Sequence, residues 1–186
     1  MPHRPVHRML AAGTALFFAV AAHAQDKRSV PADTIPFAVQ GFKYAQLKRP
    51  GTDSITHMNE CEESSCLPGS KVSYILSGPE PHSFEAYIVA RTKVEAAVRA
   101  QLPTGSALRF EAPTVVRLGP VTIYESRRHQ TLPDGSAKIT ISQSLHSNQV
   151  QIDVISSSDT LKAADGNAAT FRAMMVIWMA VQGDKR

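Results

Sequence analysis

The feature that most constrains the fold is a run of alternating apolar and polar residues interrupted by turn chemistry, from "ALRFEA" at 107 to "QVQIDVISS" at 157. Its sharpest signal is "LPDGS" at 132–136. Proline presets the first turn position, aspartate suits the second, and glycine accepts the left-handed conformation that closes a three-residue hairpin loop with a bulge. If Leu132 faces Ser136, then Ile123 faces Leu145, Tyr124 faces Ser144 and Glu125 faces Gln143. A two-residue turn at Ser147 and Asn148 would continue the meander, with Leu145 beside Val150 and Ile141 beside Val154.

Because side chains alternate along a strand, this register sorts the residues into two faces. Val121, Ile123, Ile139, Ile141, Leu145, Val150, Ile152 and Val154 share one, with Gln143 as the polar exception. Tyr124, Ser126, Arg128, Thr140, Ser142, Ser144, His146, Gln151 and Asp153 share the other. An antiparallel sheet of this kind needs a cover on its apolar face. Two helices are available. In "SFEAYIVARTKVEAAVRAQL" apolar residues recur at helical spacing from Phe84 to Leu102, Ser83 can cap the first turn, Arg91 and Glu95 stand i,i+4, and Pro103 with Gly105 end it. In "NAATFRAMMVIWMAV" the stripe is Phe171, Met174, Met175, Trp178 and Val181, capped by Asp165 or Asn167, with an apolar face broad enough to imply deep burial or a partner. Upstream, "GFKYAQL", "SITHMNE" and "SKVSYIL" read as short strands between turn-bearing segments. The expected architecture is α+β, two-layer, an antiparallel β-sheet covered on one face by two main helices.

At "VTIYES", "QIDVISSS" and "ADGNAATFRAMM" the chain resembles the PsbP-like group, over roughly residues 70–180. That resemblance implies a last strand running through a short loop into a helix beneath the sheet, and an accessory or binding role instead of catalysis. The cysteine pair and the opening strands depart from the group's pattern.

The N-terminus addresses export. A basic start with Arg4 and Arg8, the apolar "MLAAGTALFFAVAA" and the small-residue "AHA" at 22–24 have the three parts of a cleaved signal peptide over 1–24. The apolar run is shorter than the roughly 20 residues a membrane span requires. Residues 25–34 read as a flexible mature N-terminus and 35–186 as one domain, soluble and in the bacterial periplasm. Loss of Arg4 and Arg8 lowers the formal charge from +4 to +2, and the remaining basic residues are scattered, "RRH" at 127–129 being the densest patch. Nucleic acid is therefore not an expected partner; another periplasmic or envelope protein is.

Chemistry is concentrated in "HMNECEESSC", which holds both cysteines. In an oxidising compartment Cys61 and Cys66 are expected to bond to each other. Three neighbouring glutamates would raise a thiol pKa, the wrong direction for a reactive thiolate. The alternative is a small-ligand or copper-binding periplasmic protein, copper(I) being held by His57, Met58, Cys61 and Cys66, soft ligands of the right kind. Hydrolase chemistry is a third reading without a motif: no G-x-S-x-G, H-E-x-x-H, Walker loop or dinucleotide glycine pattern is present. No residue is assigned as catalytic, and no cofactor or metal is expected in the leading reading. His57, His82, His129 and His146 are expected to be solvated. Glu125, Arg127 and Gln143 point toward the core side and suggest a structural polar cluster. The candidate binding face is Tyr124, Arg128, Ser142, Ser144 and His146.

Overall fold

The computed structural model describes residues 39–48, 50–52, 54–80 and 82–183; segments 1–24 and 25–34 lie outside them. Eight strands form one antiparallel sheet: β1 (Phe42–Lys48), β2 (Ile55–Cys61), β3 (Lys71–Ser77), β4 (Ala107–Phe110), β5 (Thr114–Leu118), β6 (Val121–Thr131), β7 (Ala137–His146) and β8 (Gln151–Ser158). The order is β1-β2-β3-β8-β7-β6, and β4 and β5 share the outer edge of β6. Phe110 pairs with Arg128 and Thr114 with Glu125, so Glu111, Ala112 and Pro113 oppose only Ser126 and Arg127. The extra residue makes a bulge, at a proline that has no N–H to give a ladder.

The "LPDGS" hairpin forms as the sequence predicts. Leu132 N–H donates to Ser136 O at 2.8 Å, Gly135 N–H to Leu132 O at 2.9 Å, and Gly135 has φ +82°. Ile123, Tyr124 and Glu125 face Leu145, Ser144 and Gln143. The next turn is longer than expected. Leu145 pairs with Ile152, not Val150, and Ile141 with Ser156, not Val154. The cause is Ser147: its N–H donates to Val150 O, and its Oγ accepts from the backbone N–H groups of Gln149 and Val150. A slide of two residues leaves each side chain on its predicted face.

The core lies between the sheet and α2 (Leu161–Gly183). Phe171, Met175, Trp178 and Met179 pack against Val72, Tyr74, Val121, Ile123, Leu145, Ile152 and Val154. Each fully buried side chain of this size stabilises the fold by about 1.5–3 kcal/mol. The helix begins six residues before Asn167, because Thr160 caps it through Ala163 N–H (3.3 Å). Asp165 and Asn167 are therefore interior residues with other partners: Arg127 holds Asp165, and Asn167 donates to Cys66 O. The opposite flank stays in solvent, with Ile177 66% and Val181 50% exposed.

The α+β class and the antiparallel sheet with a helix laid on it stand as read. The expectation that both helices share one face is corrected. The first helix, α1 (Phe84–Ala100), capped by Ser83 as predicted, docks on the polar face. Tyr87 Oη donates to Ser126 Oγ at 3.0 Å, and the Phe84 and Tyr87 rings lie 5.7 and 5.3 Å from Tyr124. Arg91 and Arg99 stand over the Phe110 ring. The polar face offers aromatic rings at Tyr124 and Phe110, and α1 anchors on these.

Candidate functional site

The face turned away from α2 carries all five residues of the predicted binding face. Successive cross-strand pairs align Tyr124, Ser144, Asp153 and Ile75 in one row. A parallel row holds Ser126, Ser142, Ile155 and Ser73, and a third holds Arg128, Thr140, Ser157 and Lys71. α1 covers the β6 side; Ser73, Ile75, Ser142 and Ile155 are half-exposed beyond it. The five predicted residues thus separate into two groups, Tyr124, Ser144 and His146 under the start of α1, and Arg128 toward its end, with Ser142 between.

The first group is a buried polar and aromatic cluster. His146 is 6% exposed and Tyr124 5%, which corrects the expectation of a solvated histidine. His82 stacks on His146 with ring centroids 4.0 Å apart and meets Tyr124 edge-on at 5.8 Å. Burial raises the pKa of the Tyr124 phenol, with Arg117 opposing and Glu85 adding to the shift. Ser144 Oγ lies 2.5 Å from Asp153 Oδ1 and 2.9 Å from His146 Nε2. Gln151 Nε2 donates to both Asp153 oxygens, at 3.1 and 3.2 Å.

Proton counting assigns the directions. A carboxylate only accepts and a hydroxyl has one proton, so Ser144 donates to Asp153 and accepts from His146 Nε2–H. In a hydrolytic triad the histidine takes the serine proton and the acid holds the histidine. Here the acid holds the serine, and Ser144 is 7% exposed. The set orients polar groups; it does not generate a nucleophile.

The second group has a different balance. Arg128 donates through one terminal nitrogen to Thr140 Oγ1 at 3.1 Å, and its Nε is shielded with no hydrogen-bond partner. Among the described residues no carboxylate lies within ion-pair distance of it. Burial lowers the Arg128 pKa. Lys138, diagonal to it across β6 and β7, is lowered by burial first and then by Arg128 and Lys71, with Asp159 opposing.

The "HMNECEESSC" stretch resolves as a staple. Cys61 and Cys66 are bonded to each other and buried. The copper alternative is not assembled: both sulfurs are in the disulfide, and His57 and Met58, adjacent on β2, point to opposite faces. His57 is also not solvated. It stacks on Tyr74 at 4.5 Å and meets Tyr44 Oη through Nδ1 at 2.7 Å, and burial lowers its pKa. Among the described residues, no group of three or more His, Cys, Asp or Glu side chains is placed to hold a metal. Glu125 forms the expected structural cluster on the α2 face, bonded to Arg127, Arg172 and Gln143.

Sequence reasoning missed His82, Asp153, Gln151, Thr140 and Lys138 as members of these groups. Strand alternation had already put Asp153, Gln151 and Thr140 on the right face. His82 had no such signal, since "GPEPHS" has no periodicity. No family model matches the chain, and no curated protein matches it.

Proposed function

We propose that the chain is an exported, non-catalytic binding protein of the bacterial periplasm, an accessory to another envelope protein, and that it binds through the polar face of its sheet beside α1. The observation that supports this most is the pairing His146–Ser144–Asp153–Gln151 on the face remote from the apolar core. Pairing beneath α1 holds these histidine, serine, aspartate and glutamine groups in fixed orientations beside the half-exposed rows of the same face. Their proton directions favour recognition over hydrolysis. The resemblance to the PsbP-like group and the signal-like N-terminus point to the same kind of protein.

Site-directed photo-cross-linking in intact cells tests the proposal. A photoreactive residue at Ser73, half-exposed on the polar face, should trap a discrete partner, whereas one at Thr170, exposed on α2, should not. Adducts from neither position, or equally from both, would remove the reading. Ester hydrolysis abolished by Ser144→Ala would replace it with the hydrolase.

A further inference from the structure

Arg128 is a half-buried cation whose one hydrogen-bond partner is a neutral hydroxyl. Taking a charge partly out of water costs free energy unless an opposite charge offsets it. On the α2 face each arginine of the Glu125 cluster has such a partner; Arg128 has none among the described residues. We propose that the polar face binds an oxyanion, a carboxylate or phosphate group, at Arg128, and that this is the ligand chemistry of the binding face described above. The inference rests on that face being the recognition surface.

Four observations carry it. First, the row Phe110, Arg128, Thr140, Ser157, Lys71 runs directly across five strands, spaced by about 4.8 Å. Arg128 thereby lies between Phe110 and Thr140, with the buried Ser157 hydroxyl one strand beyond Thr140 and a second cation, Lys71, after it. Second, Thr140 Oγ1 accepts from Arg128, which leaves its hydroxyl proton to donate to an anion held by the same guanidinium. Third, Lys138 stands diagonal to Arg128 across β6 and β7, and the Arg128 charge helps lower its pKa, a repulsion that a bound anion would relieve. Fourth, the surrounding charge is an excess of cations. Arg91 is matched by Glu95 at 2.7 Å and Lys71 by Glu60 at 3.5 Å, and the Asp159 charge offsets part of that on Lys138, while Arg128 and the exposed Arg99 add positive charge without an ion pair among the described residues. The planar guanidinium fork matches two oxygens of one carboxylate or phosphate, and its hydrogen bond to Thr140 already holds it in place, which lowers the entropy lost on binding.

Titration of the exported protein with phosphate and with acetate, at ionic strength held constant with chloride, tests this by two-dimensional NMR. Signals of Arg128, Thr140, Ser157 and Lys138 should shift saturably with at least one of the two by about 10 mM, a weak affinity fitting a bare fragment of a ligand. Phosphate alone would assign a phosphate ester, acetate alone a carboxylate. Arg128→Gln should weaken binding roughly tenfold or more, as loss of a charge-assisted pair does, while Arg117→Gln on exposed β5 should not. If Arg128→Gln fails to fold, Thr140→Val and Lys138→Gln decide the matter by the same loss. Unshifted signals, an equal response to chloride, or equal losses in the Arg128 and Arg117 variants would overturn the oxyanion site. The polar face itself would survive that result if Ser73 still captures its partner.

Discussion

On the α2 face, Glu125 is held by Arg127, Arg172 and Gln143; three residues along the same strand, on the α1 face, Arg128 has Thr140 and no carboxylate among the described residues. Both side chains are largely withdrawn from water. The first belongs to a cluster whose charges are matched within the fold. The second holds a charge that no carboxylate among the described residues matches. The same division holds more widely. One face carries the apolar core, buried His57 and Tyr74 stacked beneath a more exposed Tyr44, and the disulfide. The other carries hydroxyls, histidines and cations in ordered rows. The difference teaches that the core and the proposed recognition surface lie on opposite sides of one sheet, so they can be perturbed separately.

The largest perturbation should come from the core. Phe171 is fully buried against Phe42 and Tyr74, and Phe171→Ala should destabilise by about 3–5 kcal/mol in urea unfolding. A loss below about 1 kcal/mol would mean that α2 is not the main cover of the sheet. Next, Glu125→Gln removes the charge that three groups share and should cost about 1.5–3 kcal/mol, the range for hydrogen bonds to a charged group. An unchanged midpoint would reduce the contrast with Arg128 to coincidence. Replacing Cys61 and Cys66 together by serine should cost roughly 2 kcal/mol, since the closed ring is small, and should leave oxyanion titration unchanged. Lost binding in that variant would tie the two faces together.

Much of this division was legible in the sequence. The alternation from Val121 to Val154 identified both faces because a period of two survives even a wrong turn. The β7–β8 connection shows this: a four-residue loop held by Ser147 replaced the expected two-residue turn, and no residue changed side. What alternation cannot supply is the side a helix will take. α1 has an aromatic stripe at Phe84 and Tyr87, and only the spatial closeness of Tyr124 explains why it settles on the polar face. The pairing of Cys61 with Cys66 was expected from the cysteine count and an anticipated oxidising compartment. The environment of His57 did not, because a histidine in a strand reads as polar until two tyrosines from neighbouring strands are seen to enclose it. For the candidate site, the face on which Tyr124, Arg128, Ser142, Ser144 and His146 lie was readable; the state of charge pairing at Arg128 was not, since partners are a property of three dimensions.

A smaller effect tests the register on which both faces depend. Gly135 has φ +82°, a conformation that costs a residue with a Cβ roughly 1 kcal/mol. No atom lies within 4 Å of where that Cβ would stand, so Gly135→Ala should lose about this conformational amount, with no added clash. Unfolding midpoints measure it. A neutral substitution would show that the loop adopts another turn, and the cross-strand partners of β6 and β7 would then need revision.

The smallest expected change in stability, and the one that most sharpens the comparison, is Arg128→Gln. Breaking a matched charge leaves its partner stranded, which is why Glu125→Gln should be costly. Arg128 has no partner to strand except the Thr140 hydroxyl, which can bond a glutamine amide or water instead. Its removal also ends the desolvation of a cation and its repulsion of Lys138. Against this stands the loss of the half-buried arginine stem, whose burial glutamine keeps only in part. These contributions oppose one another, so the urea midpoint should shift by no more than about 0.5 kcal/mol, the scale of ordinary surface substitutions. A loss comparable to that of Glu125→Gln would show that Arg128 is a structural cation. A stable protein that no longer responds to phosphate or acetate would place its role in binding.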